Sequence, residues 1–224
     1  MESIVISLGG SVVLSDDIDH EYFHSFVQTI QQIAKKFKIY LVIGGGKTAR
    51  SYINIGRKQG LSEEQLDELG IKATRLNASL LSMLLLQQDK PIPVTTDEAI
   101  SCGDPIVIMG GTMPGHSTDF VGAELAYKSH AWCYIVATNV DGVYTKDPNK
   151  YPDAEHLPII SIDTLLKQYG SSWDSAGKNM VIDGPALQLI KDYGIQTYVI
   201  NGKDLPQFRR IINKEDFQGT VIKN

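Results

Sequence analysis

Short, unbroken apolar runs recur along this chain. They alternate with longer stretches in which apolar residues return every three or four positions. A run of the first kind predicts a strand buried on both faces, and spacing of the second kind predicts a helix with one face on a core. Strands are predicted at 2–8, 38–43, 105–109 and 133–138, with a short one at 92–94. Helices are predicted at 19–36, where Phe23, Phe26, Val27, Ile30 and Ile33 share a face, and at 47–59, 96–102 and 117–130. Residues 62–88 read as a helical hairpin opened by Ser62-Glu63-Glu64-Gln65, a pattern in which the serine and glutamine side chains cap each other's backbone. The alternation predicts an α/β fold: a three-layer α/β/α sandwich around a mostly parallel sheet.

Composition narrows the function classes. At 224 residues and 42% hydrophobic, the chain can fill a core, as one large domain or two small ones. A formal net charge of −5 argues against nucleic acid or an anionic membrane as the main partner. No apolar run approaches the ~20 residues of a membrane span, and Leu80 to Leu86 reads as a buried helix. Met1-Glu2-Ser3 starts a strand rather than a signal peptide. Cys102 and Cys133 have neither metal nor redox spacing and are expected to be reduced, so no metal site of the protein's own is predicted. The expected compartment is the cytosol, and there is no internal repeat.

Two strand ends carry glycine corners. The first strand runs into Gly9-Gly10-Ser11, and the 38–43 strand into Gly44-Gly45-Gly46, followed by Lys47-Thr48-Ala49-Arg50. A helix start offers backbone N–H groups and the positive end of its dipole, which suits a phosphate that glycine lets come close. Lys47 and Arg50 sit one turn apart and add cationic donors. The plainer alternative is a strand–turn–helix corner with solvated basic residues. Neither corner is a Walker A loop or a Gly-x-Gly-x-x-Gly fingerprint. Two anion-ready corners within the first fifty residues favour a nucleotide over a single phosphate. In parallel sheets, ligands sit off the carboxyl ends of the strands, where both corners lie.

A third glycine-rich loop, Gly110-Gly111-Thr112-Met113-Pro114-Gly115-His116-Ser117-Thr118-Asp119, follows the 105–109 strand. Ser117 or Thr118 is suited to cap the next helix, which places Asp119 in its first turn. A carboxylate there either holds cationic side chains or binds a hydrated magnesium, or else simply complements the helix dipole. His116 is equally suited to a ligand oxygen or to a structural hydrogen bond. Beyond the 133–138 strand lies Thr138-Asn139-Val140-Asp141-Gly142-Val143-Tyr144-Thr145-Lys146-Asp147-Pro148, with a tight turn at Asp141-Gly142 and room for an adenine beside Tyr144.

Together, Ile6 to Ser11, Gly44 to Arg50, Gly110 to Asp119 and Thr138 to Pro148 resemble the amino acid kinase family. Within it, the 110–119 loop and Asp67-Glu68-Leu69-Gly70-Ile71 resemble the archaeal-type uridylate kinases. The resemblance covers essentially the whole chain, through Gly219-Thr220-Val221-Ile222. It implies a single domain, 1–224, with an acceptor side at about 1–132 and an ATP side at about 133–224. It implies ATP, carrying Mg2+, as phosphoryl donor and UMP as acceptor.

In that scheme Gly9, Gly10, Gly46 and Arg50 contact the ATP phosphates, while Thr138, Asn139, Tyr144 and Asp147 hold the adenosine end. Gly45, Asp67, Gly111, Thr112, Met113, Pro114, Gly115, His116 and Ser117 hold UMP, and Asp119 organises the reaction centre. The family's usual lysine at the position of Ser7 is missing, so Arg50 or Lys47 is expected to cover the transferring charge. Residues 171–183, with Lys178, resemble a mobile loop on the nucleotide side. Alternatives are a same-fold kinase for an isoprenoid phosphate or an acidic amino acid, or a non-catalytic nucleotide- or oxyanion-binding protein. An isoprenoid phosphate kinase would carry a histidine soon after the Gly44–Gly46 corner, and this chain has none there. A homohexamer built from dimers is also implied, with the 19–36 helix or the 62–88 segment as contact surfaces.

Overall fold

The first strand, β1 (Ser3–Leu8), is buried at every position, as expected of a strand with neighbours on both edges and helices on both faces. The computed structural model describes residues 1–13, 20–87, 90–171 and 181–224. After β1 come α1 (Gly10–Val13), α2 (His20–Ile33), β2 (Lys38–Ile43), α3 (Gly46–Lys58), α4 (Glu63–Leu86), α5 (Thr96–Ser101) and β3 (Ile106–Met109). The chain continues through α6 (Thr118–Lys128), β4 (Cys133–Thr138), β5 (Val143–Tyr144), β6 (His156–Leu157), β7 (Ile159–Ser161) and α7 (Ile162–Tyr169). It closes with α8 (Gly184–Tyr193), β8 (Thr197–Asn201), α9 (Leu205–Ile212) and β9 (Thr220–Lys223).

Seven strands form one sheet in the order β3-β2-β1-β4-β8-β9-β7. The first five run parallel, whereas β9 pairs antiparallel with β8 and parallel with β7, so the β9–β7 edge runs the other way. β5 and β6 form a separate antiparallel ribbon. Strand alternation sorts the side chains into two layers. Ile4, Ile6, Leu8, Leu41, Ile108 and Ile135 pack with Phe26 and Ile30 of α2, Leu81 of α4 and Phe208 of α9. Val5, Val42, Met109, Tyr134 and Val136 pack on the other face with Val121 of α6, Leu165 of α7 and Leu187 of α8. Ser7 shares the alternation of Val5 and therefore points at α6.

Two expectations fail. Residues 62–88 are not a hairpin: α4 is one continuous helix of 24 residues. Its capping box forms as expected, with Ser62 and Gln65 bonded reciprocally, but nothing in the interior breaks it. Gly70, the natural breaking point, lies against Ile53 of α3, and that packing holds the helix straight through it. Residues 92–94 form no strand. Pro91 and Pro93 have no N–H to give a ladder, and Val94 is held by side chains instead, through its N–H to Glu98 and its carbonyl to Arg75. Among the described residues, α4 is also long and apolar enough to cross a membrane by length and composition, which the short 80–86 run had not suggested. In this fold Leu66, Ala78, Leu81 and Leu85 of that helix are core residues, but Leu80, Met83 and Leu84 are exposed, so the 80–86 run is buried on one face only.

Candidate active site

The carboxyl ends of β1 and β2 lie side by side, with Leu8 opposite Ile43, so the two glycine corners meet. Gly44 N–H donates to the Leu8 carbonyl at 2.9 Å, and Gly9 N–H to the Ala137 carbonyl at 2.9 Å. A methyl group on Gly10 would lie 2.1 Å from the Gly46 nitrogen, and Gly46 itself has φ +58°. These glycines are required first for the approach of one corner to the other, and only then for a ligand. No side chain caps the start of α3 at Gly45, leaving the N–H groups there for a bound anion. The carbonyls behind them are claimed: Asn77 Nδ2, buried on α4, donates to Gly44 at 2.8 Å and to Gly45 at 3.2 Å. Arg50 donates to Ser11 Oγ at 3.1 Å, tying α3 to the first corner.

The loop after β3 is held by the same face of α4. Gly111 N–H donates to Thr74 Oγ1 at 2.7 Å, while that hydroxyl donates to the Ile71 carbonyl. Arg75 donates to the carbonyls of Gly111 at 3.0 Å and Thr112 at 2.9 Å. Gly115 N–H donates to Asp67 Oδ2 at 2.8 Å, so the carboxylate expected to bind substrate has one oxygen engaged by the 110–119 loop. Ser117 caps α6 by accepting from Phe120 N–H, and the His116 ring lies on Phe120 with centroids 4.2 Å apart.

The same region holds a pair of carboxylates, Asp119 and Asp183. Ser7 donates to Asp119 Oδ1 at 2.8 Å, and Tyr134 donates to the Asp119 carbonyl at 3.0 Å. Ser117 Oγ donates to Asp183, which in turn caps α8 by accepting from Ala186 N–H. Burial pushes the Asp119 carboxyl up to about 7. The charge of Asp183 adds to the shift, and the Ser7 hydrogen bond opposes it. Asp183 is likewise raised by burial, against the Ser117 bond. The position of Ser7 is thus filled by a hydroxyl that serves Asp119.

On the other side, Asp141 accepts from Asn201 Nδ2 at 2.9 Å, fixing the turn whose Gly142 has φ +140°. Beyond it, β5 pairs with β6 across residues 145–155, and Tyr144 lies against His156 with ring centroids 5.2 Å apart. Asp147 accepts from Asn149 N–H, which together with Lys150 lowers its pKa.

The two glycine corners, part of the 110–119 loop, both carboxylates of the Asp119–Asp183 pair and the Tyr144 ribbon open on one cavity of about 720 Å³. Its lining includes Gly9, Gly10, Gly45, Gly46, Arg50, Asp67, Gly111, His116, Ser117, Asp119, Thr138, Asn139, Tyr144 and Asp147, so most of the predicted site converges. Lys47 and the stretch Thr112 to Gly115 are not part of the lining. Lys47 is exposed one residue into α3, and Met113 is exposed as well. Lys178 lies outside the described residues.

A model of the amino acid kinase family matches residues 2–201. The chain belongs to that family. It is 40% identical to the uridylate kinase of Methanothermobacter thermautotrophicus, over 95% of this chain and 96% of that one. To the uridylate kinase of Thermoplasma volcanium it is 43% identical, over 99% and 98%. The crystal structure of uridylate kinase from Archaeoglobus fulgidus superposes with a TM-score of 0.85 at 40% identity, covering 98% of this chain and 99% of that one.

Within this amino acid kinase fold the sequence reading overlooked four polar residues: Thr74, Arg75, Asn77 and Asp183. Three lie inside α4, which the hairpin reading had cut, and one ends a loop. Asn77 did leave a trace, being a polar residue between Leu76 and Ala78 in an apolar stretch, as a buried hydrogen-bonded side chain is.

Proposed function

We infer that this chain is a uridylate kinase, transferring the γ-phosphoryl of ATP to UMP to give UDP and ADP. The observation carrying this is the convergence of both glycine corners, the 110–119 loop and Tyr144 on a single cavity, in a chain about as long as its uridylate kinase relatives. In this reading the N–H groups of Gly10 and Gly46 and the fork of Arg50 take the triphosphate, with Gly9, its own N–H spent on Ala137, lining the approach. Thr138, Asn139, Tyr144 and Asp147 take the adenosine. Gly45, Asp67, Gly111, His116 and Ser117 take UMP, with residues 112–115 shaping the loop from behind. The division into an acceptor side (1–132) and an ATP side (133–224) belongs to the same proposal.

Chemically, an anionic oxygen of UMP attacks the γ-phosphorus in line as the bond to the β–γ bridging oxygen breaks. That nucleophile carries no proton, so no strong general base is needed, and positioning and charge neutralisation supply the rate. The described charged side chains of the cavity are Arg50 and Lys146 against Asp67, Asp119, Asp147 and Asp183, far too few cations for two nucleotides. Mg2+ brought by ATP fits that deficit. Asp119, held by Ser7 and Tyr134, orients the donors around the transferring group.

Two further elements belong to the proposal. Tyr52 and Ile55 on α3 and Leu76, Leu80, Met83 and Leu84 on α4 are exposed apolar residues, suited to pairing two copies within a hexamer of dimers. A cytoplasmic enzyme supplying UDP for UTP and CTP synthesis completes the reading.

The test is ADP release across UMP, CMP, dCMP, AMP and isopentenyl phosphate. UMP is expected to be used and CMP weakly; comparable rates on both reject the specificity. Asp67→Asn is expected to raise KM for UMP by roughly ten- to a hundredfold, the cost of one charged hydrogen bond, with little effect on KM for ATP. An unchanged KM for UMP confines Asp67 to holding Gly115.

A further inference from the structure

The acceptor loop has almost no structure of its own. Between β3 and α6 its main chain makes one internal turn, His116 N–H to the Met113 carbonyl at 3.3 Å, and Gly115 adopts φ +82°. Such a loop holds one shape only where something outside it sets that shape. Three side chains of α4 do so, at positions 67, 74 and 75, which the helical repeat places on one side. Asp67 and Thr74 take the N–H groups of Gly115 and Gly111 and line the cavity themselves.

Arg75 differs from both. It does not line the cavity, and its donors go to carbonyls: Gly111 at 3.0 Å, Thr112 at 2.9 Å and, at 3.5 Å, Val94 from the segment before α5. The Gly111 peptide is therefore held at both ends, its N–H by Thr74 and its carbonyl by Arg75. The guanidinium is suited to this because its planar fork presents two donors to two adjacent carbonyls at once. Directly behind Gly110 the backbone of α4 leaves no slack: a methyl group there would lie 2.6 Å from Thr74 Oγ1 and 2.7 Å from the Arg75 nitrogen.

We propose that Arg75 is a positioning residue for the acceptor nucleotide, holding the Gly111–Thr112 main chain in the form that binds the nucleoside monophosphate without touching it. The inference rests on the uridylate kinase reading and adds to it a residue outside the cavity that sets acceptor affinity. The two carbonyls turned to Arg75 are also withdrawn from the site. A loosened loop can turn one of them inward as an acceptor for an exocyclic amino group, which cytosine has and uracil lacks. Arg75 thereby also favours UMP over CMP.

The experiment compares wild type, Arg75→Met and Arg75→Lys in the full chain, by steady-state kinetics and by hydrogen exchange of the 110–117 peptide. In Arg75→Met, KM for UMP is expected to rise about tenfold or more, with KM for ATP within about twofold and the CMP-to-UMP preference narrowed. Arg75→Lys, which can serve one carbonyl at a time, is expected to fall between. Exchange in 110–117 is expected to speed up, with no change in β1 or β4. Equal rises in both KM values, or unchanged loop exchange, overturn the proposal. If wild type does not phosphorylate UMP, the uridylate kinase reading fails on its own, and loop exchange in Arg75→Met still decides whether Arg75 sets the loop.

Discussion

Arg50→Ala is expected to lower turnover by on the order of a hundredfold or more, whereas Lys47→Ala stays within a few-fold of wild type. Both residues lie in the first turns of α3, and both are cations in an anion-binding corner, so charge alone does not separate them. Geometry does. Both are exposed, but Arg50 lines the cavity and already bridges to Ser11 across the two corners, while Lys47 lies outside the lining. A guanidinium bonded to the first corner in the free enzyme is pre-placed for the phosphoryl that passes between the corners, and its fork binds two oxygens of that group together. Ser7→Lys is expected to restore little. Ser7 is 2% exposed and spends its hydroxyl on Asp119, so a lysine there would displace the bond that orients that carboxylate. Steady-state rates on the three variants, with circular dichroism to confirm folding, check this. Normal turnover in Arg50→Ala alongside an inactive Lys47→Ala would reverse the assignment.

Asp119→Asn is expected to make the protein more stable and far less active. An open-chain aspartate titrates at 3.8, and in the folded protein burial, with Asp183 beside it, moves the Asp119 carboxyl up to about 7. Between those values the unfolded chain gives up its proton while the folded chain keeps it. Stability therefore falls as pH rises from about 4 to about 7 and levels off above. Asparagine cannot ionise, so the variant avoids that loss. Because the carboxyl still opens partly to the cavity, the expected gain at pH 8 is on the order of 2 kcal/mol, fading toward pH 4. Turnover is expected to drop on the order of a hundred- to a thousandfold, the usual cost of removing an oriented charge from a reaction centre. Thermal melts of the ligand-free proteins between pH 4 and pH 8, read beside kcat, test both halves. A stability gap that does not change with pH contradicts the buried-carboxylate account.

These expectations rest partly on what the chain discloses and partly on what only the fold brings together. The apolar runs of β1, β2, β3 and β4 were legible because strands buried on both faces cannot afford polar interruptions. Ser7, the polar residue inside β1, is explained by Asp119. The glycine corners were legible too, although their tightest constraint is mutual: Gly10 and Gly46 are distant in sequence and adjacent only once β1 and β2 pair. The hairpin reading of 62–88 failed because the local sequence does not show that Gly70 packs beside Ile53 of α3 within one continuous helix. Asp183 was hidden for a different reason. Its partner Ser117 is 66 residues away, and a carboxylate at a helix start is common enough to carry no signal by itself. Arg75 reads as an exposed helix arginine until its three carbonyls, all outside the helix, are located.

The most direct test of the uridylate kinase account is label transfer from γ-phosphate-labelled ATP with Mg2+ in a mixture holding equal UMP and CMP. The account predicts label in the β-phosphate of UDP, little in CDP and almost none in free phosphate. Label released mainly as free phosphate, or shared equally between UDP and CDP, would contradict it.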